Sequence, residues 1–177
     1  MRKVLFILGQ LTDEDVEWLA GTGRRERVAA GSHLIREGAA VDAIYILLDG
    51  RMAVSVQAIG EIAVLRTGEI VGEMSLVDAR PPSATVTAAT DCHVLAVPRV
   101  TMDAKLRDDG AFAARFYKAI ATFLADRLRG TVHRLGYGVV APTDDDAEAD
   151  SELDLNVLDH VHLAGARFDR ILKKLAG

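Results

Sequence analysis

Gly68-Glu69-Ile70-Val71-Gly72-Glu73-Met74-Ser75-Leu76-Val77-Asp78-Ala79-Arg80-Pro81-Pro82-Ser83-Ala84-Thr85-Val86 sets a glycine and an acid ahead of a short helical turn, then a proline pair and a strand. A glycine such as Gly72 lets a backbone approach a ligand closely. One turn of helix follows from Glu73. The N–H groups at that helix start, with those near Ser83-Ala84, can form a nest for an anion. A carboxylate beside such a nest repels a bare phosphate. Glu73 makes sense if it accepts a hydrogen bond from a sugar hydroxyl next to the phosphate. The plainer readings are that Glu73 is a surface acid at a helix start, Gly72 a structural turn residue, and Ser83 and Thr85 ordinary strand residues.

Outward from this stretch, from about Arg27 to Val97, short apolar runs are punctuated by glycine. Leu34-Ile35, Ile44-Tyr45-Ile46-Leu47-Leu48, Met52-Ala53-Val54-Ser55-Val56, Ile62-Ala63-Val64-Leu65, Ala84-Thr85-Val86 and His93-Val94-Leu95-Ala96-Val97 read as strands. Asp49-Gly50 between two of them is a strong hairpin signal. Many short strands at this spacing point to a sandwich, a jelly roll or a small barrel.

The flanks are helical. Thr12 is placed to cap a short helix whose first turn carries Asp13, Glu14 and Asp15, with Gly21 and Gly23 ending it. From Val100 the period becomes 3.6: Phe112, Phe116, Ile120, Phe123, Leu124, Leu128, Thr131 and Leu135 describe one long amphipathic helix, stopped at Gly136-Tyr137-Gly138. Thr143 to Glu152 then carries six acids and no base, a solvated tether. Ser151-x-x-Asp154 opens a last helix with Leu155, Leu158, Val161, Phe168, Leu172 and Leu175 on one side.

Composition limits the function. The 177 residues carry a net charge of −5 at pH 7, which argues against a generic binder of nucleic acid or anionic membrane. Cys92 is the single cysteine, so an internal disulfide, a Cys-based zinc site and a Cys-held iron–sulfur cluster are excluded; Cys92 itself reads as a buried strand residue. His160 and His162, two apart on a helix, point different ways and make a poor metal pair. No apolar run spans a bilayer. Val4-Leu5-Phe6-Ile7-Leu8 is too short for the apolar part of a secretion signal, and a cytoplasmic location is expected.

The stretch from Gly68 to Val86 resembles the phosphate-binding cassette of the cyclic nucleotide-binding domain family, which includes catabolite-activator-type regulators, kinase regulatory subunits and cyclic-nucleotide-gated channels. The resemblance extends to Gly31-Ser32-His33-Leu34-Ile35-Arg36-Glu37-Gly38, to Tyr45-Ile46-Leu47-Leu48-Asp49-Gly50 and to the long helix. It implies a mainly β fold with flanking helices (α+β), a double-stranded β-helix or jelly-roll barrel. The expected organisation is a domain over 11–135 (barrel about 27–97, long helix about 111–135), an acidic linker over 136–152 and an amphipathic helix over 153–177.

The resemblance also assigns roles. Gly72 would let the backbone approach the cyclic phosphate and ribose, Glu73 would bind the ribose 2′-hydroxyl, and Met74 and Ser75 would offer backbone groups. Ser83 and Ala84 would give a hydroxyl and an N–H to the phosphate. Leu128-Arg129-Gly130-Thr131 resembles the segment that supplies a base-contacting threonine, which makes Thr131 a candidate. The chain departs from the family directly before Ser83-Ala84, where the family places an arginine on the phosphate and this chain has Pro82. A charge-assisted contact of roughly 1.5–3 kcal/mol is then missing, unless Arg80 substitutes for it.

Three function classes follow. The first is a stand-alone regulatory module that senses a nucleotide-like ligand, cAMP or cGMP included, and acts through a partner protein. The second is a degenerate, non-binding member used as a dimeric structural or docking unit. The third, a cupin-type enzyme, needs clustered His/Glu ligands inside the barrel, where the sequence offers only His33 and His93. No cofactor and no catalytic residue is expected. Only 42 residues follow Leu135 and they hold one helix, so direct DNA binding is not expected. The Phe112-to-Leu135 stripe looks long for the barrel to cover alone, which predicts a homodimer through that helix. The last helix is expected to dock on the barrel or on a partner.

Overall fold

The strands named above are apolar on both faces, and the architecture uses both. The computed structural model of the chain describes residues 4–78, 80–134 and 155–176. In order these form α1 (Val4–Gln10), α2 (Asp13–Thr22), β1 (Arg24–Val28), β2 (His33–Ile35), β3 (Ala43–Asp49), β4 (Arg51–Val56), β5 (Gly60–Arg66), β6 (Ile70–Val71), α3 (Met74–Val77), β7 (Thr85–Ala88), β8 (Cys92–Pro98), α4 (Arg99–Asp108), α5 (Gly110–Arg134) and α6 (Leu155–Ala176). One antiparallel sheet has the order β1-β8-β3-β6 and the other β2-β7-β4-β5. The fold is the expected mainly β jelly roll with flanking helices.

Side chains alternate across a strand, so β3 and β8 divide theirs between two cores. Ile44, Ile46, Leu48, Leu95 and Val97 pack toward the helices. Leu47, Cys92 and Val94 pack into the barrel interior with Met52, Val54, Leu65 and Val86. The register Ile44↔Val97 and Ile46↔Leu95 keeps each set together. Cys92 is fully buried, as expected.

Three features differ from the sequence reading. Asp49-Gly50 is not a hairpin turn, because β3 and β4 lie in different sheets. Gly50 (φ +97) turns the chain from one sheet to the other, and a Cβ there would stand 2.6 Å from Cys92 Sγ. The true hairpin joins β4 to β5 (Val56↔Gly60). Secondly, Arg24-Arg25-Glu26-Arg27 forms most of edge strand β1, although it has no apolar alternation; pairing with β8 holds it there. Thirdly, α4 is a helix separate from α5. Asp109 divides them: its carboxylate accepts from the Phe112 N–H at 2.9 Å and pairs with Lys105 Nζ at 2.8 Å.

The stripe on α5 is already covered within the chain. Phe112, Phe116, Ala119, Ile120 and Phe123 are buried in one core with Ile7 and Leu8 of α1 and Val16 and Leu19 of α2. Coverage by a twin helix, the premise of the dimer expectation, is therefore not needed for these residues. Leu128 is 65% exposed. The apolar residues near the start of the chain, read as a weak imitation of a leader, form a packed helix that contacts both α5 and α6.

α2 carries the predicted cap as a complete box: Thr12 Oγ1 accepts from the Asp15 N–H at 3.2 Å, and Asp15 Oδ2 accepts from the Thr12 N–H at 2.8 Å. Arg115 reaches across from α5 and holds Asp15 with both arms, at 2.7 and 2.9 Å. Burial alone would raise the Asp15 pKa. The Arg115 guanidinium and Thr12 outweigh it and hold the carboxyl below its usual range.

α6 docks on α1 and α2 rather than on the strands. Among its described side chains Ala164, Arg167 and Ile171 are buried and Phe168 and Leu175 half-buried, while Leu172, expected on the inner side, is exposed. The inner row therefore steps 164-167/168-171-175. Arg167 sits where α1 ends and α2 begins. Its Nη1 donates to Leu8 O at 2.9 Å, capping carbonyls at the negative end of α1, and its Nε pairs with Asp13 at 2.7 Å. Arg170 adds a contact to Asp13 at 3.0 Å. Ser151, the proposed start signal, lies outside the described residues.

Two expected results follow. Lysine cannot reproduce the two-armed geometry of arginine, so Arg167→Lys should lose one of these contacts and about 1 kcal/mol of stability, read as a lower midpoint in urea unfolding. The Arg167 and Arg170 guanidiniums hold the Asp13 carboxyl below its ordinary range. A carboxylate with a lowered folded pKa stabilises the fold above its unfolded value, about 3.9, and loses that contribution as pH falls through the lowered one. The thermal midpoint should therefore be flat down to about pH 4 on account of Asp13 and Asp15, then drop. Melting curves followed by circular dichroism across that range check the sign.

Candidate functional site

Residues of the stretch between β6 and β7, with others from β2, β4 and β7, line a cavity of about 290 Å³. Gly72, Glu73, Met74, Ser75, Arg80, Pro82, Ser83 and Ala84 all line it, so eight of the nine candidates from the sequence stand around one space. The ninth, Thr131, lies on α5, and its side chain is outside the described residues. The remaining wall is largely apolar: Ile35, Val41, Val54, Val71 and Val86. An apolar chamber with a few polar groups at one side is the usual form of a small-molecule site.

Each candidate is held for a local reason. Gly72 has φ +90, and a Cβ on it would stand 2.8 Å from the Ala43 carbonyl of β3. Its glycine requirement thus comes from packing against β3, in line with the structural reading. Ser75 donates its hydroxyl to Gly72 O at 2.6 Å, and its N–H points at the same oxygen at 3.3 Å. The Leu76 N–H goes to Glu73 O at 3.1 Å. The turn therefore uses the Ser75 and Leu76 amides internally, and the anion nest expected there is smaller than a free helix start would provide. Glu73 is buried, 2% exposed, while Met74 is exposed.

On the opposite side, Pro82 accepts the Gly38 N–H at 2.9 Å through its carbonyl. Thr85 Oγ1 accepts from the Glu37 N–H at 3.1 Å, which gives Thr85 a structural role. The loop after β2 is thereby tied to the strand entering β7, and this brings Ile35 and Val41 into the wall. Arg80 Nε lies 3.2 Å from Asp78 Oδ2, on a side chain 86% exposed. The sequence reading missed Asp78; its spacing of two from Arg80 in a loop was the available signal. It also missed Val41, whose place comes from a fold-back that no local pattern announces.

The family model for the cyclic nucleotide-binding domain matches residues 25–109, from β1 to the residue after α4. Residues 25–109 are a domain of the cyclic nucleotide-binding family. A cAMP-dependent protein kinase regulatory subunit of Aspergillus fumigatus is 39% identical over 71 residues, 40% of this chain and 17% of that protein. The chain spans a fifth or less of the length of the curated relatives it matches. Among solved structures, a cyclic nucleotide-binding domain from Methylobacillus flagellatus shares the fold at a TM-score of 0.68 and 22% identity, over 80% of this chain and 85% of that one. The Thermus thermophilus catabolite activator protein superposes at 0.57 and 25% identity, over 94% of this chain and 84% of its own.

The cavity lies inside this cyclic nucleotide-binding domain, between the family's matched ends. No group of three or more His, Cys, Asp or Glu suited to a metal ion occurs among the described residues. No helix among them is long and apolar enough to cross a membrane.

Proposed function

We propose that the chain is a regulatory module whose barrel cavity takes a nucleotide-like ligand, that it catalyses no reaction, and that it binds cAMP and cGMP weakly because Pro82 stands where the family pattern has an arginine. The observation that carries this reading is the convergence of Gly72, Glu73, Met74, Ser75, Ser83 and Ala84 on one apolar-walled cavity within the family domain. The relatives matched include a kinase and a kinase regulatory subunit named for cyclic nucleotides, which supports the ligand class. Arg80 is a poor replacement for the missing arginine, since its guanidinium is paired with Asp78 at the surface. Isothermal titration of the chain with a panel of cyclic mono- and dinucleotides tests the reading. Weak binding of a member of the panel, abolished by Glu73→Ala, is the expected result. Silence across the panel would favour the second reading, a docking unit with a closed pocket.

Output is proposed to pass through a protein partner, not DNA, in keeping with the net charge of −5. Homodimerisation through α5 is retained as part of this proposal, now resting on the exposed Leu128 and Val132, four apart on one face. Sedimentation at tens of micromolar should show a dimer that Leu128→Glu converts to monomer; monomer alone in the unmutated chain would remove this part of the proposal.

A further inference from the structure

We propose that the open edge of β5 docks an extended, acidic segment of a partner protein, which adds as a further strand and sets its acids against Arg51 and Arg66. The proposal rests on the reading that output passes through a protein partner; the cavity has no part in it. Among the described residues the two sheets leave four edge strands, β1, β6, β2 and β5. An unpaired edge invites a further strand unless charge, shortness or a bulge blunts it. β1 carries Arg24, Arg25, Glu26 and Arg27, β6 has two residues, and β2 has three with a register shift. β5 is the longest of the four, at seven residues, and its bulge at Ile62 leaves Ala63 to Arg66 in unbroken register with β4. Ile62 and Val64 are exposed there.

The register fixes what this edge presents. The Arg51 N–H donates to Thr90 Oγ1 at 3.1 Å, and the Arg51 carbonyl accepts the Ala89 N–H at 2.9 Å. The Arg66 N–H donates to Glu69 Oε2 at 2.6 Å, and its carbonyl accepts the Glu69 N–H at 3.0 Å. The backbones of Arg51 and Arg66 are thus committed elsewhere, although the two residues stand directly opposite each other. Bonded and non-bonded pairs alternate along an antiparallel ladder, so Met52↔Leu65 is a bonded pair and Ala53↔Val64 again a non-bonded one. The Val64 N–H and carbonyl therefore face the open edge. Side chains lie closest in non-bonded pairs, and like charges opposite each other there cost stability. Both arginines are exposed, and neither guanidinium has an ion pair or hydrogen bond among the described residues. Met52 and Leu65 point into the barrel core, so Arg51, Arg66 and Val64 share the outer face. A strand added beside β5 gains backbone bonds at Val64, an apolar side chain of it lies against Val64, and an acid two residues further on meets the two unanswered cations.

The test is a titration of the isotopically labelled full chain with the synthetic peptide Thr-Val-Thr-Val-Thr-Asp-Asp, followed through backbone amide resonances and through hydrogen exchange at Val64. In the free chain the Val64 amide should exchange fast; the peptide should slow it and shift Ala63 to Arg66. Replacing both peptide aspartates by asparagine should weaken binding about threefold or more, as should Arg51→Gln combined with Arg66→Gln. Raised salt should act in the same direction. Both substitutions lie on exposed side chains and leave the backbone bonds of these positions in place. Binding indifferent to the acids and to the arginines overturns the proposal. Absence of binding, or shifts confined to other surfaces, overturns this docking site and leaves the partner reading standing. A Val64 amide already protected in the free chain also overturns it, because a second copy or another segment of this chain would then fill the edge; loss of that protection on dilution would identify the second copy.

Discussion

Pro82→Arg is expected to tighten cAMP or cGMP binding by about tenfold to a hundredfold, the worth of one charge-assisted contact at ~1.4 kcal/mol per decade. Position 82 lines the cavity, so a side chain added there starts at the wall of the site. The substitution should leave the loop intact. What Pro82 supplies to the fold is its carbonyl, which receives the Gly38 N–H, and every residue type has one. In the double variant with Glu73→Ala the gain should vanish if the ribose contact is what anchors the ligand, and calorimetry on the four proteins of this cycle separates the two contributions. Micromolar or tighter cAMP binding by the unmutated chain would refute the idea that Pro82 disables the phosphate site. No gain in the variant would point to a closed pocket.

The largest expected loss of stability is Phe112→Ala, at roughly 3–5 kcal/mol. Phe112 is fully buried at the start of α5. Its ring meets Trp18 of α2 edge-on at 5.6 Å and stacks on Phe116 at 5.6 Å. The Lys105 ammonium lies 5.4 Å from its centroid and 5.6 Å from that of Trp18. Truncation therefore opens a cavity and also ends two ring contacts and one cation–π contact. Because α2, α4 and α5 meet there, the loss should lower the unfolding midpoint as one transition. Urea unfolding followed by Trp18 fluorescence measures it. A cost below about 1 kcal/mol would mean that the helical layer relaxes to fill the space, contrary to the close-packed core described above.

How much was legible in the sequence depends on whether the cause is local. The cassette is contiguous, so Gly72 to Ser75 and Ser83-Ala84 could be read as one site before any fold was known. Thr12 as a helix cap was equally plain, whereas the return bond from Asp15 that completes the box is seen in the structure. β3 and β8 were visible because both of their faces are buried, leaving unbroken apolar runs. β1 was not: its arginines point to solvent at a sheet edge, and only pairing with β8 makes them a strand. Asp49-Gly50 carried the composition of a hairpin turn, yet the same positive-φ glycine serves a corner between sheets, and nothing local distinguishes the two. The α5 stripe is plain in its 3.6 period, but its cover by α1 and α2 depends on residues far away in the chain. Leu172 and Ile171 differ by one step; Ile171 is the buried one, on the side from which Arg167 reaches the end of α1.

The central claim is that this cavity is a ligand site with an impaired phosphate end. Its most direct test is a titration of cAMP into the isotopically labelled chain, followed residue by residue through backbone amide resonances. The account predicts shifts concentrated at Gly72 to Ser75 and Ser83 to Val86, saturating at concentrations well above micromolar. Shifts confined to other surfaces, or saturation at or below micromolar, would contradict it.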